Sequence, residues 1–436
     1  VTIKNNFIKP TNMKSFKLIL IILHCVLYTL HSQTTLPHNV ANEFGNLLVY
    51  HNNRICPLQT LARDYTIKLT GKTSYKDFSA EQVLLGWFFY YDEWRNEPMI
   101  KIKGKDAQQT LGIEGKYASF NDFTSPQGYK LTGTQGKNFS AADEKYNLIM
   151  MHLTGSLLKI FPHQTQDSSQ LSTLNSQPST IHWFALNDNL PADMPQAEWL
   201  FIRKSMNLVA EYIAHSQYDE AIDLIRKIRR YQDTQLGTLA PSKTRITAER
   251  IYNHLNFNRP LAMALMTIGI LLYVITIISN KTPRWSWFIL TPTVIYLLFA
   301  IVLRGYIAGH FPLSNGFETM QFLALIASLM PFLTLLFKQQ KNNSLFLIPN
   351  SILICGIALM VATMSELNPR ITLLMPVLQS PLLSIHVMVI MISYTLFALI
   401  LLNATTNLSS TQQGNSPRLV RNFACEPSKL ETNKPE

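Results

Sequence analysis

From residue 261 to residue 403 apolar residues come in runs of membrane-spanning length, separated by short polar or basic loops, whereas residues 33–258 mix apolar and polar positions as soluble chains do. Two solvents are implied. A helix that crosses the bilayer core needs roughly 20 predominantly apolar residues, and five spans are predicted, approximately at 261–279, 287–303, 320–337, 345–364 and 384–403. The loops at 280–284 and 338–341 are basic, so both are expected on the cytoplasmic side. Five crossings then put residues 33–258 outside, the loops 304–319 and 365–383 outside, and the C-terminus inside.

The outer region reads as helical. From about residue 39 to residue 91 the reading is helical: Pro57 opens a run in which apolar residues recur at helical spacing, and Gly71 closes it. Ser79 followed by Gln82 is a capping-box-like start for a second helix through Trp87. Residues 112–140 and 163–180 are rich in Gly, Ser, Thr and Gln and read as loops. From Trp199 through Met206 to Ile213, and again from Ala221 to Ile228, an apolar stripe broken at residues 216–219 predicts a helical hairpin. An amphipathic helix starting at Ser242 leads to the first span. At the N-terminus, Lys14 and Lys17 precede an apolar stretch at 18–30, with Ser32 a small residue suited to cleavage, which predicts a cleaved signal peptide, with an uncleaved anchor as the alternative, and export of the chain beyond it.

Composition adds little that the pattern does not already say. Charged residues make up 15% of the 436 and hydrophobic ones 47%, and the formal net charge is +11. The basic residues lie in short loops, around 226–230 and in the C-terminal tail, without the clustered basic face that nucleic-acid binding needs, so no nucleic-acid partner is expected. Of the four cysteines only Cys56 falls in the outer region, which argues against a disulfide framework, and there is neither CxxC nor CxxCH. A hydrolytic outer domain would need a nucleophile or metal motif, and His152, His163, His182 and Asp193 are scattered without one. No catalytic residue is picked out.

Two segments at the outer side can carry chemistry. The first runs from Arg304 through Gly309, His310 and Asn315 to Glu318. Its plain reading is structural, with Asn315 as N-cap and Glu318 completing a capping box for the following span. Its functional reading is that Arg304, His310 and Glu318 line an outer vestibule. The second places His386 about one turn inside the outer end of the last span. An unpartnered polar group there is costly, and a neutral imidazole is a common metal ligand and an axial ligand of haem iron. Spacing alone names no ligand.

The run from Gly309 to Met320, Gly-His-Phe-Pro-Leu-Ser-Asn-Gly-Phe-Glu-Thr-Met, resembles the GHxPxSNxYE segment of the cytochrome c assembly membrane proteins of the CcsA/ResC type, the haem-handling half of the system II synthase. Residues 378–387, followed by Ser393 and Tyr394, are similar to the family segment that supplies an external haem-ligating histidine. Residues 53–64 and 81–87 resemble the exported domain of Bacteroidetes members. The resemblance covers the chain from about residue 36 to residue 403. It implies haem, held non-covalently at the outer face and presented to the CxxCH motif of apocytochrome c, with His386 one axial ligand to the haem iron. Arg304, His310, Asn315 and Glu318 would shape the outer side of that site, and a ResB-type assembly protein would be a partner. Family members continue with a tryptophan-rich WWD segment and a further span pair bearing a second external histidine. Residues 404–436 contain neither, so the chain is expected to correspond to the N-terminal part of such a protein.

The expected fold is mainly α: an N-terminal extension and signal peptide (1–32), an exported helical domain (33–258), a five-span bundle (259–403) and a polar cytoplasmic tail (404–436). The expected setting is the bacterial inner membrane, with a large periplasmic N-terminal domain and the lipid bilayer as one partner. Any synthase activity would belong to the assembled complex. The competing reading is a membrane-anchored protein, partner-binding or transporter-like, that handles no haem; such a protein has no use for a histidine at the depth of His386.

Overall fold

The computed structural model describes residues 35–164, 181–255, 257–279, 281–336, 346–364, 369–372 and 380–423. The expected signal peptide, the basic loop 338–341 and residues 424–436 lie outside the described residues. The chain divides into two compact units: residues through His51 with Ile55–Ala240, and Asn52–Arg54 with Pro241–Glu436.

The first unit is mainly helical. It contains α1 (His38–Gly45), the hairpin β1 (Leu48–His51) and β2 (Arg54–Pro57) except for residues 52–54, α2 (Leu58–Thr70), α3 (Ala80–Phe89), the single turn α4 (Tyr91–Trp94), α5 (Lys105–Leu111), α6 (Lys137–Leu153), α7 (Gln196–Ala214) and α8 (Tyr218–Leu236). Strands β3 (Ile100–Lys101) and β4 (Tyr117–Ala118), β5 (Thr124–Ser125) and β6 (Gly128–Tyr129), and β7 (Phe161–Gln164) and β8 (Ile181–Phe184) form antiparallel pairs.

The helix ends follow the residues that predict them. Pro57 precedes α2, and Gly71 ends it in the left-handed region at φ 78°. Ser79 caps α3 by accepting from the Gln82 N–H, while Gln82 Oε1 accepts from the Ser79 N–H at 3.0 Å. The α7–α8 hairpin turns at Ser216, φ 57°.

Two expectations are corrected. The reading of residues 39–91 as helical misses the β1–β2 hairpin, whose two-residue turn is made by Asn52 and Asn53 at φ 53° and 59°. Residues 112–140 and 163–164 are not wholly loop: β4 pairs with β3, β5 pairs with β6, β7 pairs with β8, and α6 begins at Lys137. The core of this unit gathers Phe44, Tyr65, Trp87, Phe123 and Phe161, each at most 1% exposed. Gly86 is obligatory there, since a Cβ would meet the Trp94 indole at 2.4 Å.

The second unit holds α9 (Lys243–His254) and five apolar helices: α10 (Asn258–Ser279), α11 (Ser286–Ala308), α12 (Gly316–Leu336), α13 (Leu347–Ala362) and α14 (Pro381–Phe423). Among the described residues four stretches, in α10, α11, α12 and α14, are long and apolar enough to cross a membrane. The 16-residue α13 is apolar but shorter, about 24 Å of helix against a hydrocarbon core of about 30 Å. The helix carrying the last span runs on to Phe423, so residues 404–423, read as a polar tail, continue it.

Helices α10 and α13 pack at close range because glycines face each other's backbones. A Cβ on Gly269 would lie 2.8 Å from the Leu353 Cα, and one on Gly356 would lie 2.5 Å from the Met266 nitrogen. Small residues at the crossing are how helices associate where lipid removes the hydrophobic drive between them. Leu399 of α14 joins Ala327 and Ile354, and at the same end Asn350 Nδ2 donates to Asn403 Oδ1 at 2.9 Å.

Candidate functional site

The junction of α11 and α12 is organised by one arginine. Arg304 lies just before the last turn of α11 and is fully buried. Its Nε donates to Glu318 Oε1 at 2.7 Å, Nη1 to the Tyr252 hydroxyl at 2.9 Å and to the Pro369 carbonyl at 2.8 Å, and Nη2 to the Arg370 carbonyl at 3.1 Å. The guanidinium lies 5.1 Å from the centre of the Phe317 ring and 5.8 Å from that of Tyr252. Such fork geometry, with both charges paired and stacked on aromatic faces, is what makes a desolvated guanidinium tolerable.

Glu318 completes the other half. Asn315 caps α12, its Oδ1 accepting from the Glu318 N–H at 3.0 Å. The Glu318 Oε2 accepts from the Ser314 N–H at 2.6 Å and from the Ser314 hydroxyl at 2.7 Å. It therefore reaches one residue further back than a capping box would, because Arg304 holds the second oxygen.

Around this pair the chain is tied down further. Arg245 of α9 donates to the Ile307 carbonyl through Nε at 2.8 Å and through Nη2. Thr244 and Tyr306 share a hydroxyl hydrogen bond at 2.8 Å. Arg54 meets Glu249 in a bidentate pair at 2.6 and 2.8 Å and donates from Nε to the Ile371 carbonyl at 3.0 Å.

The two histidines lie elsewhere. His310, in the loop between α11 and α12, has Nδ1 3.0 Å from the Phe311 carbonyl; a carbonyl only accepts, so Nδ1 carries the proton and Nε2 is the basic nitrogen. That Nε2 is buried and has no partner among the described residues. His386 is exposed on α14, beside the exposed Leu382, Ile385 and Val389. It has no hydrogen-bond or ion-pair partner among the described residues, and no group of three or more potential metal ligands occurs among them. The structure thus brings Arg304, Asn315 and Glu318 together through direct hydrogen bonds and joins neither histidine to them.

Sequence reasoning missed Tyr252, Arg54, Glu249 and the carbonyls of residues 369–371. Their partners lie 52 to 317 positions away in sequence, and no local signal could have linked them. It also missed Gln321, one turn after Glu318, which is 1% exposed with neither amide atom partnered among the described residues. In the first unit, His163 donates from Nδ1 to Glu198 at 2.8 Å, His152 is fully buried and Asp193 is exposed.

Residues 313–433 match the family described as cytochrome C assembly protein. Asn315, Glu318 and His386 fall inside that match, whereas Arg304 and His310 precede it. Over 392 residues the chain is 31% identical to Protein NrfI of Wolinella succinogenes, covering 82% of this chain and 40% of that protein. The cytochrome c biogenesis protein CcsA of Marchantia polymorpha is 31% identical over 186 residues, 41% of this chain and 55% of that protein. CcsA of Olimarabidopsis pumila is 29% identical over 154 residues, 34% of this chain and 44% of that protein. The chain therefore spans between 40% and 55% of the length of these relatives. With multi-pass apolar helices in the second unit and residues 313–433 inside the family match, the membrane part of this chain belongs to the cytochrome c assembly family of the CcsA type.

Proposed function

We propose that this chain handles haem during cytochrome c biogenesis, holding it non-covalently at the outer face of the membrane for attachment to apocytochrome c, with His386 as an axial ligand. The observation that carries the reading is the imidazole of His386, exposed on an apolar helix and without a partner among the described residues. A polar side chain at such a position is costly unless it serves a ligand, and imidazole nitrogen is a natural donor to haem iron. Leu382, Ile385 and Val389, spaced to share its side of α14, supply the apolar surface that a porphyrin face requires.

His310 has the right chemistry for a supporting role. Its proton is held on Nδ1, leaving a buried basic nitrogen with lone-pair capacity. Arg304, Glu318 and Asn315 bind one another, so their contribution is to shape the outer side of the site rather than to contact the iron. Haem is the cargo in this reading. It supplies the vinyl groups that become thioethers, and that bond formation belongs to a complex with apocytochrome c and a ResB-type assembly protein. The setting is the bacterial inner membrane, with residues 33–258 exported behind a signal peptide.

The test is the absorption spectrum of the detergent-purified chain titrated with haem, beside His386→Ala. A Soret band in the parent that is lost on substitution is the expected result. An equal band in both proteins would remove His386 as ligand, and no band in either would count against haem handling by this chain.

A further inference from the structure

Two histidines that look scattered in the sequence meet in the first unit. Strands β7 and β8 pair antiparallel with His163 directly opposite His182. Opposed residues of such a pair project from the same face with Cβ atoms about 4.5–5.5 Å apart, close enough for two imidazoles to reach one ion at about 2.0–2.1 Å from each nitrogen. The neighbouring rings agree on the face. His163 lies 6.4 Å from the ring of Phe184, two residues beyond His182 on β8, while the intervening Trp183 stacks on Tyr50 at 6.2 Å. His163 is buried and His182 exposed.

The His163 ring is already oriented as a ligand. Its Nδ1 lies 2.8 Å from Glu198 Oε1, supplied by α7, and a carboxylate only accepts, so the neutral ring carries its proton on Nδ1 and its lone pair on Nε2. The same carboxylate oxygen accepts from the Tyr231 hydroxyl at 2.7 Å and from Gln235 Nε2 at 3.2 Å, both on α8, which fixes Glu198 in turn. His163 makes no other hydrogen bond among the described residues. A carboxylate on the far nitrogen of an imidazole is the arrangement that orients metal-ligating histidines and raises their basicity.

We propose that His163 and His182 bind a borderline divalent transition-metal ion, of the Cu2+ or Zn2+ class, through Nε2 of His163 and the imidazole of His182, with Glu198 as the orienting carboxylate. Imidazole nitrogen suits these ions, whereas Mg2+ and Ca2+ take oxygen ligands. No group of three or more potential ligands occurs among the described residues, so the site is a pair whose remaining positions are left to water. Structural sites are closed by four protein ligands; this one is open, and its ion exchanges. Every residue of the site belongs to the first unit, so the inference is independent of the haem reading.

The experiment adds one equivalent of Cu2+ to the detergent-purified full chain. Pulsed electron paramagnetic resonance counts the coordinated imidazoles through their remote nitrogens, and competition with a chelator of known affinity gives the dissociation constant. Two imidazoles are expected in the parent. His182→Ala, a change at an exposed position that leaves the His163–Glu198 hydrogen bond in place, should reduce the count to one and weaken binding. Glu198→Gln keeps an acceptor for Nδ1 but removes its charge, and should weaken binding roughly tenfold with the count still two. A parent that binds no copper, a count below two in the parent, or a count and affinity unchanged by His182→Ala each overturns the site.

Discussion

Burial holds the His152 imidazole neutral. It is fully enclosed, Nε2 donates to the Leu84 carbonyl at 2.8 Å, and desolvation pushes its pKa down to about 4 from an ordinary 6.5. The unfolded chain takes up a proton near pH 6.5 while the folded one does not until about pH 4, so stability is lost as pH falls through that window and is unaffected above it. At the low end the loss amounts to about 3 kcal/mol. Thermal unfolding of the full chain, followed through the buried Trp87 and Trp94, should therefore show a midpoint that drops between pH 6.5 and 4. His152→Gln should flatten that dependence, and an equal slope in both proteins would reassign it to other groups. Nothing in the sequence around residue 152 announces this burial, because the enclosing Tyr65, Leu84 and Phe88 come from α2 and α3.

Elements with local signals form where those signals lie. The capping residues Ser79, Asn315 and Ser242 each accept a backbone N–H from three residues on, since a side chain and the turn it caps are neighbours in sequence. The contact between α10 and α13 is of another kind. Gly269 and Gly356 look like ordinary interruptions of apolar runs, and only the crossing shows that each admits the other's helix backbone. Gly356→Ala should cost about 1–3 kcal/mol by overpacking, seen as a lower denaturant midpoint of the membrane unit in detergent. Gly115→Ala, with open space around its Cβ position, should leave that midpoint unchanged. Equal behaviour of the two variants would mean that the α10–α13 crossing relaxes without cost.

For the whole molecule the proposed membrane sidedness rests on charge. The loops at 280–284 and 338–341 carry Lys and Arg, and such loops favour the cytoplasmic face. A membrane-impermeant maleimide applied to intact cells should label Phe311→Cys and leave Lys281→Cys unlabelled until the cells are opened. The reverse pattern would invert the orientation, move the α11–α12 junction to the inner side and count against the proposed function at the outer face. Sidedness is thus the point on which the placement of haem chemistry at the outer face depends.

Apolar run length, helix caps and the basic loops are local, so the multi-pass helical class and the approximate helix positions were legible in the residues themselves. So was the pairing of Asn315 with the start of α12, and the kinship of the chain to the cytochrome c assembly family. The partners of Arg304 were not: Glu318 is near in sequence, but Tyr252 and the carbonyls of Pro369 and Arg370 reach it only through the packing of α9 and of residues 369–371. A buried charge must collect every donor and acceptor it needs from whatever the fold brings near. Those groups come from segments more than fifty residues apart, and only tertiary structure decides which they are.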